Sequence, residues 1–161
     1  MPTPSQRLLV LWRQLSRLPG GRLVFGWLLR RAVPYSGSIR PRVLVLEGGY
    51  ARVALNDRRR VRNHLRSVHA IALANVAELT SGLAMTAALP PDVRGIVLRL
   101  NIEYLKKARG TLIAESRCSI PEIVGEADYD VLAQVSDASG EIVARARVTW
   151  RLARTAASVK T

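Results

Sequence analysis

Twenty residues, Ala70 to Leu89, carry one charge, Glu78, and constrain the fold of this chain more than any other segment. A carboxylate amid Val76, Ala77, Leu79 and Leu83 costs several kcal/mol unless something requires it there. The stretch predicts one helix, about Ser67 to Leu89, with Ser67 as N-cap and Pro90-Pro91 as its stop. A helix apolar nearly all round must be covered nearly all round. His69 precedes Glu78 by nine residues. At about 100° per residue the two fall on roughly opposite sides, about 13 Å apart along the axis. One helix cannot bring them together. Two helices side by side around a two-fold axis can, so the spacing predicts a dimer with two composite sites.

The flanking sequence supplies the cover. Arg42 to Glu47 and Tyr50 to Asn56 predict a hairpin around Gly48-Gly49, followed by a basic loop at Arg58, Arg59, Arg60 and Arg62. Beyond Pro91 the apolar residues alternate with period two. One face each is assigned to Ile96, Leu98, Leu100, Ile102 and Tyr104; to Leu112, Ala114, Ser116, Cys118 and Ile120; to Tyr129, Val131, Ala133 and Val135; and to Ile142, Ala144, Ala146, Val148, Trp150 and Leu152. The expected class is α+β: an antiparallel sheet of about six strands curled around one central helix, at residues 35–154. Before it, Leu8, Leu11, Trp12, Leu15 and Leu18 predict an amphipathic helix ended by Pro19-Gly20-Gly21. A second piece, Arg22 to Ala32, carries Val24, Trp27 and Leu28. Together they form an N-terminal helical arm, residues 1–34, and residues 155–161 read as a tail.

The charge restricts the partners. The net charge is +13, and 22 of the 25 basic residues are Arg. Eight Arg precede the first acid, Glu47. Such a block suits nucleic acid, an anionic membrane surface met by the arm, or an acidic substrate or carrier. No aromatic-rich basic motif supports nucleic acid, which is not expected. No uninterrupted apolar run reaches the 18 or so residues of a bilayer span, and Arg7, Arg13 and Arg17 argue against a secretory signal. Cys118 is the only cysteine, which excludes an internal disulfide and fits a reducing, cytoplasmic compartment. No Cys/His cluster surrounds it, so neither metal nor cofactor is expected.

Asn63, His69 and Glu78, in this order of elements, resemble the hotdog-fold thioesterases of the phenylacetate pathway (PaaI-like) and an uncharacterised branch beside them. That pattern has an Asn, a His-Gly-Gly six residues later and an acid nine residues after the His. Here the His-Gly-Gly segment is His69-Ala70-Ile71. The resemblance covers about residues 35 to 153. It implies hydrolysis of an acyl thioester, most simply acyl-CoA or an acylated carrier protein, in a homodimer or homotetramer, with coenzyme A only as part of the substrate. The backbone N–H of Ala70 or Ile71 would polarise the carbonyl, as free amides at a helix start do. Glu78 of the partner chain would activate water or attack directly. Asn63 would orient water or substrate, and His69 would hold the helix start or the thioester. Asn75, Ser81 and Gly82, each one turn from Glu78, would line the pocket. Arg94, Lys106, Lys107 and Arg109 would meet the anionic end of the substrate.

Two other readings remain open. Loss of both family glycines fits a hotdog module that binds acyl-CoA or an acylated carrier without cleaving it. His64, 14 residues before Glu78, has the spacing of hotdog dehydratases, but their His-Phe-Pro-Gly segment is absent.

Overall fold

The computed structural model describes residues 4–155; the expected tail beyond Thr155 lies outside them. Three helices come first: α1 Pro4–Leu15, α2 Gly21–Ala32 and α3 Pro34–Gly37. The hairpin β1 Arg42–Glu47 and β2 Tyr50–Leu55 follows, then a 3-10 turn at Arg59–Val61 and the central helix α4 Ala70–Ala88. Four strands follow among the described residues: β3 Val93–Tyr104, β4 Leu112–Arg117, β5 Glu126–Ser136 and β6 Ile142–Arg154. All pairings are antiparallel, in the order β1-β2-β4-β5-β6-β3. This is the hotdog fold, one sheet wrapped around one helix.

The sheet explains the composition of α4. Of its 19 residues 13 are buried, because sheet and α1 together leave little of its circumference open. By length and mean hydropathy (1.3) α4 is apolar enough to cross a membrane, contrary to the sequence expectation. The apolar surface is spent inside the protein, where 61% of that window is buried.

Two local expectations are corrected. The helix starts at Ala70, and its cap is His69 rather than Ser67. Ser67 instead donates to Asn63 in the preceding turn. In β3 the residues from Ile96 to Tyr104 do not share a face. The register against β6 shifts between Val97 and Arg99, and the extra residue inverts the alternation. Val97 therefore lies opposite inward Trp150, and Leu100, Ile102 and Tyr104 opposite Val148, Ala146 and Ala144. Ile96 is left pointing outward, 65% exposed. In the arm, Trp12 and Phe25 meet edge to face at 5.0 Å and, with Leu29, join the core. Val24 and Trp27 stay outside, each about half exposed.

Candidate active site

The chain before α4 folds back on itself before the helix begins. Asn63 Oδ1 accepts from Leu65 N, Ser67 N and Ser67 Oγ at 2.9, 3.2 and 3.1 Å, closing a tight turn. Arg66 sits in the left-handed region (φ 55°) within that turn. Val68 N then donates to Ala108 O and His69 N to Val61 O. The helix start is thus pinned between the 3-10 turn and the loop after β3. Asp57 ties the same loops, accepting from Arg62 Nε at 2.6 Å and Gly110 N at 3.0 Å. The Arg62 contact holds the Asp57 carboxyl below its usual range.

The first amides of α4 have different fates. His69 Nδ1 accepts from Ile71 N at 3.0 Å, so His69 caps the helix. Ala72 N and Leu73 N donate to His69 O. Among the described residues the Ala70 N–H has no acceptor, and Ala70 lines a cavity of about 260 Å³. Asn63, Ser67, Tyr104, Lys106 and Lys107 also line it. The Ile71 side chain is 56% exposed and is not part of its wall. Of the two expected carbonyl donors, Ile71 N is held by His69, and Ala70 alone combines an unengaged N–H, among the described residues, with a place in the cavity lining. Asn63 also lines the cavity, and the turn uses only its oxygen, so its amide nitrogen has no partner among the described residues.

Tyr104 is a lining residue that the sequence pattern does not mark as part of the site. Its hydroxyl donates to Ala70 O at 3.0 Å and spans from the end of β3 to the first residue of α4. Burial pushes the Tyr104 phenol up. The available signal is its place two residues before Lys106, at the end of the period-two apolar face of β3.

Glu78 lies about 12 Å further along the helix and does not line this cavity. It is half-buried, and burial raises its carboxyl above the ordinary value of 4.5. No ion pair or side-chain hydrogen bond engages it among the described residues. An internal salt bridge therefore does not explain it. One turn earlier, buried Asn75 has an Oδ1 atom without a partner. Ser81 is engaged internally, donating to Glu78 O at 2.8 Å. Gly82 makes room for Trp150, whose ring would lie 3.1 Å from an added Cβ.

The basic residues divide too. Lys106 is paired with Asp137 at 2.8 Å and with Glu141, which holds the Asp137 carboxyl well below its usual range. Lys107 and Arg109 are exposed and make no ion pair among the described residues. Arg94 belongs to the far end of β3, ten residues from Tyr104 and about 33 Å away along an extended strand. The protomer does not bring it to this cavity.

Residues 21–152 match the family described as Domain of unknown function (DUF4442). The chain belongs to this family. The DUF4442 chain is similar, at 32% identity and TM-score 0.81, to the crystal structure described as genomics APC5556, over 94% of this chain and 98% of that one. A Pseudomonas aeruginosa protein of unknown function, PA5026, described as a thioesterase candidate, is 25% identical with TM-score 0.74, over 86% and 97% of the two chains. A Haemophilus influenzae thioesterase shares the fold at 12% identity and TM-score 0.66, over 78% and 87%. A candidate esterase of Halobacterium salinarum is 37% identical over 92 residues, 54% of this chain. That match spans 61% of the curated relative, under two thirds of its length. The fold is therefore the thioesterase-like hotdog fold.

Proposed function

We propose that the protein hydrolyses an acyl thioester, acyl-CoA by preference, at a site shared between two copies. The observation that carries this reading is Glu78. It is a half-buried acid whose pKa burial raises, and it makes no ion pair among the described residues. Perturbed, unpaired acids of this kind mark functional sites. The Ala70 amide is the second half, a donor without an acceptor among the described residues, at a helix N-terminus whose first residue lines a cavity, suited to a developing oxyanion.

The halves lie on different parts of α4, and a two-fold partner supplies what each lacks. Strand β3 supports such a partner. It is a 12-residue sheet edge with Ile96 65%, Leu98 44% and Leu100 36% exposed. Long apolar edges are normally covered.

In this scheme the thioester oxygen accepts from Ala70 N–H. Glu78 of the other copy takes a proton from water as the water oxygen attacks the carbonyl carbon. The tetrahedral intermediate collapses, the C–S bond breaks and the thiol leaves with the proton. The raised Glu78 pKa favours this base role over direct attack. Asn63 Nδ2 positions the water or the carbonyl, and Lys107 and Arg109 face the phosphates of the substrate.

The Ile71 amide, already held by His69, favours a second reading, a module that binds acyl-CoA without cleaving it. Hydrolysis and binding assays over acyl-CoA chain lengths separate the two. Saturable release of free coenzyme A supports the thioesterase, and tight binding without release replaces it with the binding module.

A further inference from the structure

A second cavity, about 450 Å³, opens between α2 and the start of β1. Arg22, Arg30, Arg40, Arg42 and Arg58 line it, with no acid among the lining residues. None of the five makes an ion pair among the described residues, although Arg52, Arg62, Arg147, Arg151 and Arg154 all do. Arg58 is half-buried and donates to Ile39 O at 2.6 Å. Burial, then Arg40, Arg60 and Arg30, press its pKa down. Arg40 adopts the left-handed region (φ 52°), which residues with a side chain rarely enter. The fold thus gathers like charges, one on a strained backbone, and leaves them unneutralised.

The outward face of α2 beside this cavity is apolar. Leu23, a lining residue, is 71% exposed, and Trp27, one turn on, is 50% exposed under the Arg31 guanidinium at 5.4 Å. Exposed Leu and Trp set among arginines is the pattern of a helix lying in a membrane interface. A soluble phosphate would explain the arginines but not these two side chains.

We propose that this face docks the protein on an anionic phospholipid surface. The lipid phosphate occupies the arginine cavity, and Leu23 and Trp27 enter the boundary between headgroups and acyl chains. No residue of the cavity lines the pocket at the start of α4, so the proposal stands apart from the catalytic reading.

Flotation of the full chain with vesicles tests it. Phosphatidylcholine alone is compared with phosphatidylcholine containing about 30 mol% phosphatidylglycerol, at low salt. The expected result is binding to the anionic vesicles with a blue shift in emission that Trp27→Phe abolishes. Arg30→Glu with Arg42→Glu should lower binding by about 25-fold or more, at roughly fivefold per basic residue. Leu23→Ala with Trp27→Ala should weaken it at unchanged charge. If the acidic pair melts early, Arg30→Gln with Arg42→Gln removes the same charges without adding acids. Hydrolysis of a soluble short-chain acyl-CoA should be unchanged in all these variants. Equal binding to both vesicles, or anionic binding indifferent to the Arg pair or to Leu23 and Trp27, overturns the proposal. So does binding of inorganic phosphate or glycerophosphoglycerol as tight as that of vesicles with no change in Trp27 emission, which assigns the cavity to a free phosphate compound.

Discussion

The backbone N–H of Ile71 is held by Nδ1 of His69 at 3.0 Å, which leaves the Ala70 N–H as the open amide at the start of α4. The two amides are adjacent in sequence but not equivalent in chemistry.

Ala70→Pro should therefore abolish hydrolysis and spare the fold. Proline at the first helical position lacks only an N–H that has no helical partner, and His69 (φ −64°, ψ 140°) already has the backbone that precedes a proline. Loss of one oxyanion donor costs about 100- to 1,000-fold in turnover. Turnover and thermal midpoint, measured together, check this. A sharp fall in the midpoint at an unchanged rate per folded molecule would show that the amide has no catalytic part.

His69→Ala should destabilise the protein by about 1 kcal/mol, a few degrees in thermal midpoint, by removing the cap. His69→Ser replaces the acceptor and should restore stability with turnover kept. A serine variant that is stable but inactive would give the imidazole a direct role in the reaction.

Tyr104→Phe removes the hydroxyl that fixes Ala70 O from the end of β3. A hydrogen bond of this kind is worth about 1 kcal/mol of stability, so the thermal midpoint should fall by a few degrees, and a looser helix start should lower turnover with KM little changed. A change confined to KM would place Tyr104 against the substrate instead.

Glu78 links stability to pH. Its carboxyl titrates above 4.5 in the folded chain and near 4.5 in the unfolded one. Between those values the folded state binds more protons, so stability falls as pH rises. Glu78→Gln lacks the penalty. Wild-type and Gln melting curves should coincide below pH 4.5 and diverge above it, with Gln the more stable. Hydrolysis by the wild type should rise along the same limb, and the Gln variant should lose at least about 100-fold in turnover. Parallel melting curves at all pH values would mean that Glu78 is effectively solvated.

Much of this was legible in the sequence. The uncharged run around Glu78 and the period-two strands specify a sheet wrapped on a helix, because only that arrangement buries both. Asn63, Ala70, Lys106 and Lys107 do converge on one cavity. What escaped was set by tertiary geometry. The extra residue near Leu98 leaves no compositional trace, so period two alone places Ile96 and Leu98 on the face of Leu100, Ile102 and Tyr104, whereas the bulge turns Ile96 out. The spacing of Val24, Trp27 and Leu28 does not say which side of α2 faces the core; the edge-to-face contact of Trp12 with Phe25 takes the inward side and leaves Trp27 out. The choice between Ser67 and His69 as cap depended on the Asn63 turn, which consumes Ser67.

Subunit complementation tests the shared thioesterase site most directly. Glu78→Gln contributes an intact Ala70 amide, and Ala70→Pro contributes an intact Glu78. Refolded or expressed together in equal amounts, they form mixed dimers half the time, each with one complete site. About a quarter of wild-type hydrolysis should return. Mixed dimers that demonstrably form yet remain as inactive as either parent would contradict the account.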